Sequence, residues 1–207
     1  MKKLKLSLVI AFLGVISLVG AQNASFSIKG GLNMSNYYGD ELTDKNMKPG
    51  FHLGVGADFE FAPNIGLQTG LFYSMKGAKY TYSSAELNVT ANYLQIPLHV
   101  AYKIDVTPGT KVVLHAGPYV AYGIGGKRKI DSEFTDILKP IFGEPEVNTF
   151  DKDFGYKPFD AGVGLGVGAE FGLILVDIGW DMGLTNIARG SGNVKNQNAY
   201  LSVGYKF

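Results

Sequence analysis

Three histidines are the residues of this chain best suited to metal binding or proton transfer. They are His52, His99 and His115, and imidazole is both a common metal ligand and a proton carrier near neutral pH. No two of them have a local metal-ligand spacing, and the chain contains no cysteine. The two interpretations are a metal site and histidines that are hydrogen-bonded in an interior. The second is favoured because buried polar groups are normally hydrogen-bonded.

Charged side chains on the same strand faces form the second candidate set. Opposite charges facing a narrow interior would pair and plug it, whereas an open column of carboxylates would suit a proton or cation path. Asp58, Glu60 and Glu170 are expected beside Lys103 and Lys206, which favours the plug. The predicted polar network consists of Lys29, Asp58, Glu60, Lys76, His99, Lys103, His115, Glu170, Asp177, Asp181 and Lys206.

Other chemistries find little support in the sequence. The stretch GVGLGVG lacks the third glycine of a dinucleotide-binding G-x-G-x-x-G motif. A lipid-modifying enzyme would need a serine, a histidine and a carboxylate arranged as a hydrolytic triad. The sequence does not suggest such a set. We therefore predict a protein that is not an enzyme and binds no cofactor.

The first residues predict export from the cytoplasm. A basic start is followed by the apolar run LSLVIAFLGVISLV and by small residues before Gln22, which is the pattern of a signal peptide. A membrane anchor is the alternative, but the run is shorter than the ~20 residues that a spanning helix needs. We predict a signal peptide at 1–21 and one domain at 22–207. Removing three lysines leaves 16 basic and 18 acidic residues, a balance that argues against a nucleic-acid partner.

Strict two-residue alternation of apolar and polar side chains runs through eight segments. The last segment, NAYLSVGYKF, keeps this alternation to the final residue. Each segment has the length of a tilted membrane-spanning strand. The other seven are SFSIKGGLNM, GFHLGVGADFEF, IGLQTGLFYSMK, YLQIPLHVAYKI, KVVLHAGPYVAYGI, FDAGVGLGVGAEF and ILVDIGWDMGL.

The connections between these segments alternate in length. Short ones lie at 62–64, 105–110 and around 172, and long polar ones lie at 36–48, 77–91, 125–157 and 185–196. Short periplasmic turns and long outer loops are typical of outer-membrane barrels, and strands in hydrocarbon must close on themselves to pair every backbone group. The sequence thus predicts an all-β protein, an eight-stranded antiparallel up-and-down transmembrane β-barrel with periplasmic termini.

The composition of the two strand faces indicates which face contacts lipid. A soluble barrel of the lipocalin type would turn its apolar face inward, but here the polar face is rich in glycine and poor in charge. We therefore expect the apolar face to point outward. Two girdles of aromatic residues are predicted, one formed by Phe59, Phe61, Tyr102, Phe171, Tyr205 and Phe207 and the other by Tyr37, Tyr38, Tyr73 and Tyr122.

Four stretches carry a resemblance to a known family. NYLQIPLHVAYK, HAGPYVAYGIGGK, FDAGVGLGVGAEF and YLSVGYKF resemble the small outer-membrane β-barrel proteins common in Bacteroidetes, often called PorT-like or porin-family proteins. The resemblance implies that the outer-membrane lipids and the barrel-assembly machinery are partners. It also implies that Tyr205 and Phe207 are the assembly signal. Some family members are tied to a protein-secretion apparatus, so a transport or secretion component is one alternative function.

The long connection at 125–157 is the candidate site for a protein partner outside the cell. It begins with Lys127, Arg128 and Lys129, and SEFTDILKPIF could form a short amphipathic helix that carries Phe134. An exposed mobile loop is the other interpretation. The leading prediction is a monomeric structural or partner-binding barrel with a filled lumen; a small porin is a further alternative.

Overall fold

The computed structural model describes residues 24–39, 45–82, 85–132, 146–152, 155–190 and 192–207. The predicted signal peptide at 1–21, the core of the predicted helix and Phe134 lie outside these residues. None of the described residues belongs to a helix that is long and apolar enough to cross a membrane.

Eight long strands and three short ones make up the described secondary structure. Their two-residue alternation gives each long strand one apolar and one polar face. The long strands are β1 (Ala24–Gly39), β3 (Lys48–Ala62), β4 (Ile65–Tyr82), β5 (Ala85–Thr107), β6 (Thr110–Gly125), β9 (Phe159–Phe171), β10 (Ile174–Gly183) and β11 (Val194–Lys206). The short strands are β2 (Lys45–Asn46), β7 (Lys127–Ser132) and β8 (Glu146–Asn148).

The eight long strands form a closed antiparallel ring. Each pairs with the next long strand in the chain, and β1 pairs with β11 from Ser27 opposite Lys206 to Gly39 opposite Val194. Because the last strand is hydrogen-bonded to the first, the alternation at the C-terminus is used to close the ring. The predicted all-β, eight-stranded antiparallel barrel is confirmed.

The apolar face of the ring points outward. Leu32 on β1 is 66% exposed and its partner on β11, Leu201, is 50% exposed. Their neighbours Asn33 and Ser202 point inward and are buried. Exposed apolar side chains continue around all eight strands, so the outer surface matches a hydrocarbon environment rather than water.

The two ends of the barrel differ in their connections. Both chain ends of the ring and the turns at 63–64, 108–109 and 172–173 lie at one end, which we call the turn end. Asn64, Gly109 and Gly172 have φ values of 65°, 82° and 61° in these turns, in the left-handed region that favours glycine and asparagine. The long connections lie at the opposite end, which we call the loop end.

The predicted long connection at 77–91 proves to be mostly strand. β4 continues to Tyr82 and β5 begins at Ala85, with paired residues from Gly77 opposite Thr90 outward. β7 adds to this extension of β5, and β8 adds to β7. We call the ends of β4 and β5 (residues 77–91), together with β7 and β8, the projecting sheet. The prediction of a loop was wrong because the apolar residues of these extensions, such as Ala78, Tyr80 and Val89, lie on the inner face and pack in a core, whereas the spanning strands are recognised by an apolar outer face.

Two residues of the predicted aromatic girdles are buried. Tyr37 is fully buried, because its odd-numbered position places it with Asn33 and Ser35 on the inner face of β1. Phe59 is also buried. By contrast, Tyr122, Tyr205 and other predicted girdle residues are exposed on the outer surface.

Candidate functional site in the barrel lumen

An ion cluster fills the lumen near the turn end. Lys103 on β5 places Nζ 3.0 Å from Asp58 Oδ2, 2.7 Å from Glu60 Oε1 and 3.6 Å from Glu170 Oε1. Lys206 on β11 forms a second ion pair with Glu170. The structure therefore brings together the five charged residues that the sequence placed at this end, and it joins strands β3, β5, β9 and β11 across the interior.

The three histidines lie at the middle of the lumen in two separate arrangements. The rings of His99 and His115 meet edge to edge, with their planes 14° apart, their centres 5.1 Å apart and their Nδ1 atoms 3.0 Å from each other. His115 Nε2 lies 2.9 Å from Asp177 Oδ2. His52 is held apart from this pair by Asn33 Oδ1 at 2.8 Å and Ser202 Oγ at 2.9 Å.

Two glycines on β9 make room for the imidazole rings of His99 and His115. A Cβ atom at Gly166 would lie 2.5 Å from His115 Nε2, and one at Gly164 would lie 2.8 Å from His99 Nε2. Such contacts are too close for any larger residue unless the rings move. The glycines of GVGLGVG thus serve packing around the histidines rather than phosphate binding.

A buried lysine occupies the next layer towards the loop end. Lys76 is almost completely buried, with Nζ 4.0 Å from Asp181 Oδ2 and 4.7 Å from the centre of the Tyr119 ring. The amide of Gln95 donates to the same Asp181 oxygen at 2.9 Å. The centre of the Tyr93 ring lies 5.8 Å from Lys76 Nζ. This cation is therefore faced by one carboxylate and two aromatic rings, an arrangement that stabilises a desolvated ammonium group.

Above Lys76, a fully buried carboxylate organises the polar lining. Asp160 on β9 accepts hydrogen bonds from Tyr119 Oη at 3.1 Å and from Asn196 Nδ2 at 2.9 Å. Asn196 also lies 3.2 Å from the hydroxyl of Tyr93. The predicted network did not include Asp160, Asn196 or Gln95, although the alternation places all three on the inner face.

Aromatic and aliphatic side chains from the long connections close the loop end. The Phe150 ring packs over Gly123 and meets the Tyr93 ring edge-on at 5.4 Å. Tyr156 meets Tyr37 in the same manner at 5.4 Å, and Ile187 is fully buried beside them. The described part of the connection at 125–157 therefore folds over the mouth of the barrel as well as extending its wall.

Small cavities lie between these layers, and two of them border the polar network. The larger, of about 90 Å³, is lined by the histidines, Asp177, Asp181 and Tyr200, and the smaller, of about 40 Å³, lies towards the ion cluster. Lys29 contributes to both cavity walls. No group of three or more potential ligands suited to a metal ion occurs among the described residues.

The remaining predicted residues lie at the two ends of the barrel. Lys127, Arg128 and Lys129 belong to β7 in the projecting sheet, where the Arg128 guanidinium lies 5.9 Å from the centre of the Tyr156 ring. Tyr205 and Phe207 lie at the turn end with exposed side chains. The Phe207 amide donates to the Phe26 carbonyl at 2.9 Å, which ties the C-terminus to the first strand.

Several solved structures of known proteins are similar to the chain at low sequence identity. The Ail protein of Yersinia pestis is 16% identical, with a TM-score of 0.46 over 90% of this chain and 100% of that chain. A major outer membrane protein of Thermus thermophilus is 16% identical, with a TM-score of 0.47 over the same shares. Neisserial surface protein A is 14% identical, with a TM-score of 0.46 over 90% of this chain and 100% of that chain. No functional assignment rests on these similarities.

A protein-family model matches most of the sequence. No curated protein sequence matches the chain. The family model described as the outer membrane protein beta-barrel domain matches residues 20–189, a range that includes seven of the eight long strands of the ring. The match agrees with the closed ring and its apolar exterior, and on this evidence the chain belongs to the outer membrane protein beta-barrel domain family.

Proposed function

We propose that this protein is a non-enzymatic, partner-binding outer-membrane barrel whose lumen is closed to ions. The observation that carries the proposal is the filling of the interior at both ends. The Lys103 ion cluster occupies the turn end, and Phe150, Tyr156 and Ile187 cover the loop end. An eight-stranded barrel has an interior just wide enough for side chains to fill, so this filling opposes a pore.

Conductance across a planar bilayer tests the closed lumen. We expect the purified mature protein to show no steady ion current. Phe150→Ala combined with Tyr156→Ala should open the loop end and, together with Lys103→Met, allow current. Leu201→Ala, on the lipid face, is the matched control and should leave the bilayer silent. Steady conductance by the unaltered protein would refute the proposal and favour a small porin.

The projecting sheet supports partner binding at the loop end. β4 has 18 residues and β5 has 23, whereas a tilted strand crosses a bilayer with about 9–11 residues. Their extra length therefore carries paired backbone beyond the hydrocarbon region. Within the described part of the chain, the sheet ends at β8, which pairs only with β7. Such an edge can accept a strand from a protein partner.

Cross-linking on intact cells tests the partner site. We propose replacing Glu146, Val147 and Asn148 of β8 by proline, which cannot donate a backbone hydrogen bond to an added strand. The control replaces residues 40–44 in the first long connection. A protein partner that is cross-linked to the unaltered barrel and to the control, but not to the first variant, supports the proposal. A partner retained by the first variant contradicts it.

Several roles suggested by the family resemblance belong to the same proposal. We propose that residues 1–21 are removed on export and that the barrel-assembly machinery recognises Tyr205 and Phe207. The exposure of both side chains at the turn end leaves them accessible for this. A role of the PorT kind in secretion remains the alternative, and co-purification of a secretion complex would favour it over a structural role.

A further inference from the structure

A continuous hydrogen-bonded chain crosses the middle of the lumen. Asp177 on β10 lies 2.9 Å from His115 Nε2, and His115 Nδ1 lies 3.0 Å from His99 Nδ1. Three strands, β10, β6 and β5, therefore hold one carboxylate and two imidazoles in sequence.

The proton positions along this chain follow from the bonding partners. An ionised carboxylate can only accept hydrogen bonds, so His115 Nε2 must donate to Asp177. A neutral His115 then presents an unprotonated Nδ1, which accepts from the Nδ1–H of His99. A neutral His99 is thereby left with an unprotonated Nε2. His99 Nε2 is therefore the free end of this row of hydrogen bonds.

The free end points into a space where a hydrogen-bond donor is missing. His99 is 5% exposed, and its Nε2 has no hydrogen-bond partner among the described residues. The position that a Cβ atom would take on Gly164 lies 2.8 Å from this nitrogen and 2.7 Å from Asp181 Oδ1. Both atoms therefore border the same small space, and both are acceptors when the carboxylate is ionised and the imidazole is neutral.

Two carboxylates and two lysines surround this space, so their formal charges balance when both histidines are neutral. The histidine pair is faced by Asp177 and Asp181 from β10, and Lys76 lies on the far side of Asp181. The other polar and charged groups that line the same cavity are Lys29 on β1, His52 on β3, Gln68 on β4, Gln95 on β5 and Tyr200 on β11. His52 has partners at both nitrogens, so it does not compete for the space over Gly164.

We propose that the lumen contains a proton-binding relay, in which His99 Nε2 takes up one proton beside Asp181 and Asp177 closes the opposite end. The added proton forms an N–H bond at His99 Nε2 and gives an imidazolium next to the Asp181 carboxylate. If the Nδ1 proton of His99 then passes to His115 Nδ1, the Nε2 proton of His115 can pass to Asp177. One proton enters at His99 and one leaves towards Asp177, so charge and protons balance. The relay carries protons across the cavity of about 90 Å³ that the histidines line. It does not require an open channel for ions.

Histidine-specific ¹⁵N NMR of the mature protein in lipid nanodiscs tests this relay. The chain has three histidines, so the spectrum is simple. At neutral pH we expect His99 Nε2 to give the signal of an unprotonated nitrogen and His115 Nε2 that of a protonated one. On acidification His99 Nε2 should gain a proton, with a simultaneous change at His115. His52 is the internal control and should titrate separately from the pair. A protonated His99 Nε2 at neutral pH, or independent behaviour of His99 and His115, would overturn the proposal.

Variants separate the relay from simple packing. Asp181→Asn should shift the proton uptake of His99 to lower pH, because a nearby carboxylate favours the charged imidazole. Gly164→Ala should displace the His99 ring and uncouple it from Asp181, whereas Gly125→Ala, which has open space around the new Cβ atom, should leave the titration unchanged. An unaltered midpoint in Asp181→Asn would refute the role of Asp181 even if Gly164→Ala fails to fold.

Discussion

Replacing Lys103 by glutamine tests the ion cluster at the turn end. The Lys103 side chain is 3% exposed and faces three carboxylates within 3.6 Å. After the substitution Glu60 can turn towards water, because it is already 37% exposed, and Glu170 keeps Lys206. Asp58 keeps only the amide of Gln68 at 2.9 Å. One carboxylate that is only 15% exposed is therefore left without a counter-charge. We expect the free energy of unfolding to fall by about 3 kcal/mol, the lower end of the range for breaking a buried pair.

Reversible urea unfolding in phospholipid vesicles measures this loss. The chain has one tryptophan, Trp180 on the outer face of β10, so its fluorescence reports insertion. Lys111→Gln is the matched control, since Lys111 is 34% exposed and pairs with Asp105 at 3.4 Å. An exposed pair contributes about 0–1 kcal/mol. The difference in unfolding free energy between the unaltered protein and Lys103→Gln should become smaller as the pH falls and the carboxylates become protonated. Equal losses for the two variants would show that Lys103 does not neutralise a buried cluster.

Three further predictions concern the wall of the barrel. Leu201→Arg places a charge on the predicted lipid face near the middle of β11 and should cost roughly 2–4 kcal/mol in vesicles; no loss would mean that this face contacts water. Gly54→Ala should cost about 1–3 kcal/mol, because its Cβ atom would lie 2.3 Å from the Leu71 carbonyl oxygen, while Gly125→Ala should be neutral in the same unfolding assay. Phe207→Ala should slow assembly in cells yet leave refolding of the purified protein in detergent unchanged, because the side chain is 69% exposed; equal losses in both assays would point to a packing role instead.

Side-chain alternation is the reason that much of the fold was predictable from the sequence. A period of two assigns every residue of a strand to one face, so the outward position of Leu32 and the inward positions of Lys103 and His115 follow from counting. The same counting places Tyr37 inside, and its prediction as a girdle residue failed because residue type was weighed above position. The projecting sheet was missed because its apolar residues, such as Tyr80 and Val89, lie on the inner face, which breaks the pattern of the spanning strands.

The candidate site was predictable only as a set of residues. Counting along strands placed Asp58, Glu60, Lys103, Glu170 and Lys206 in one interior at one end, since each lies on the inner face near a short turn. The contacts at the loop end gave no such signal. Phe150 belongs to a polar connection with no periodicity, and only its packing over Gly123 shows that it closes the mouth.

The sequence by itself determined that the chain forms eight amphipathic strands that close into a barrel with a polar interior. That followed because unpaired backbone groups are too costly in hydrocarbon to allow an open sheet. Only the tertiary structure decided which interior groups meet. The contact between the Nδ1 atoms of His99 and His115 and the approach of Asp177 depend on the register between strands β5, β6, β9 and β10 and on the space over Gly164 and Gly166. Alternation fixes the face of a residue but not its height in the barrel, and it is the relative height of neighbouring strands that brings these side chains together.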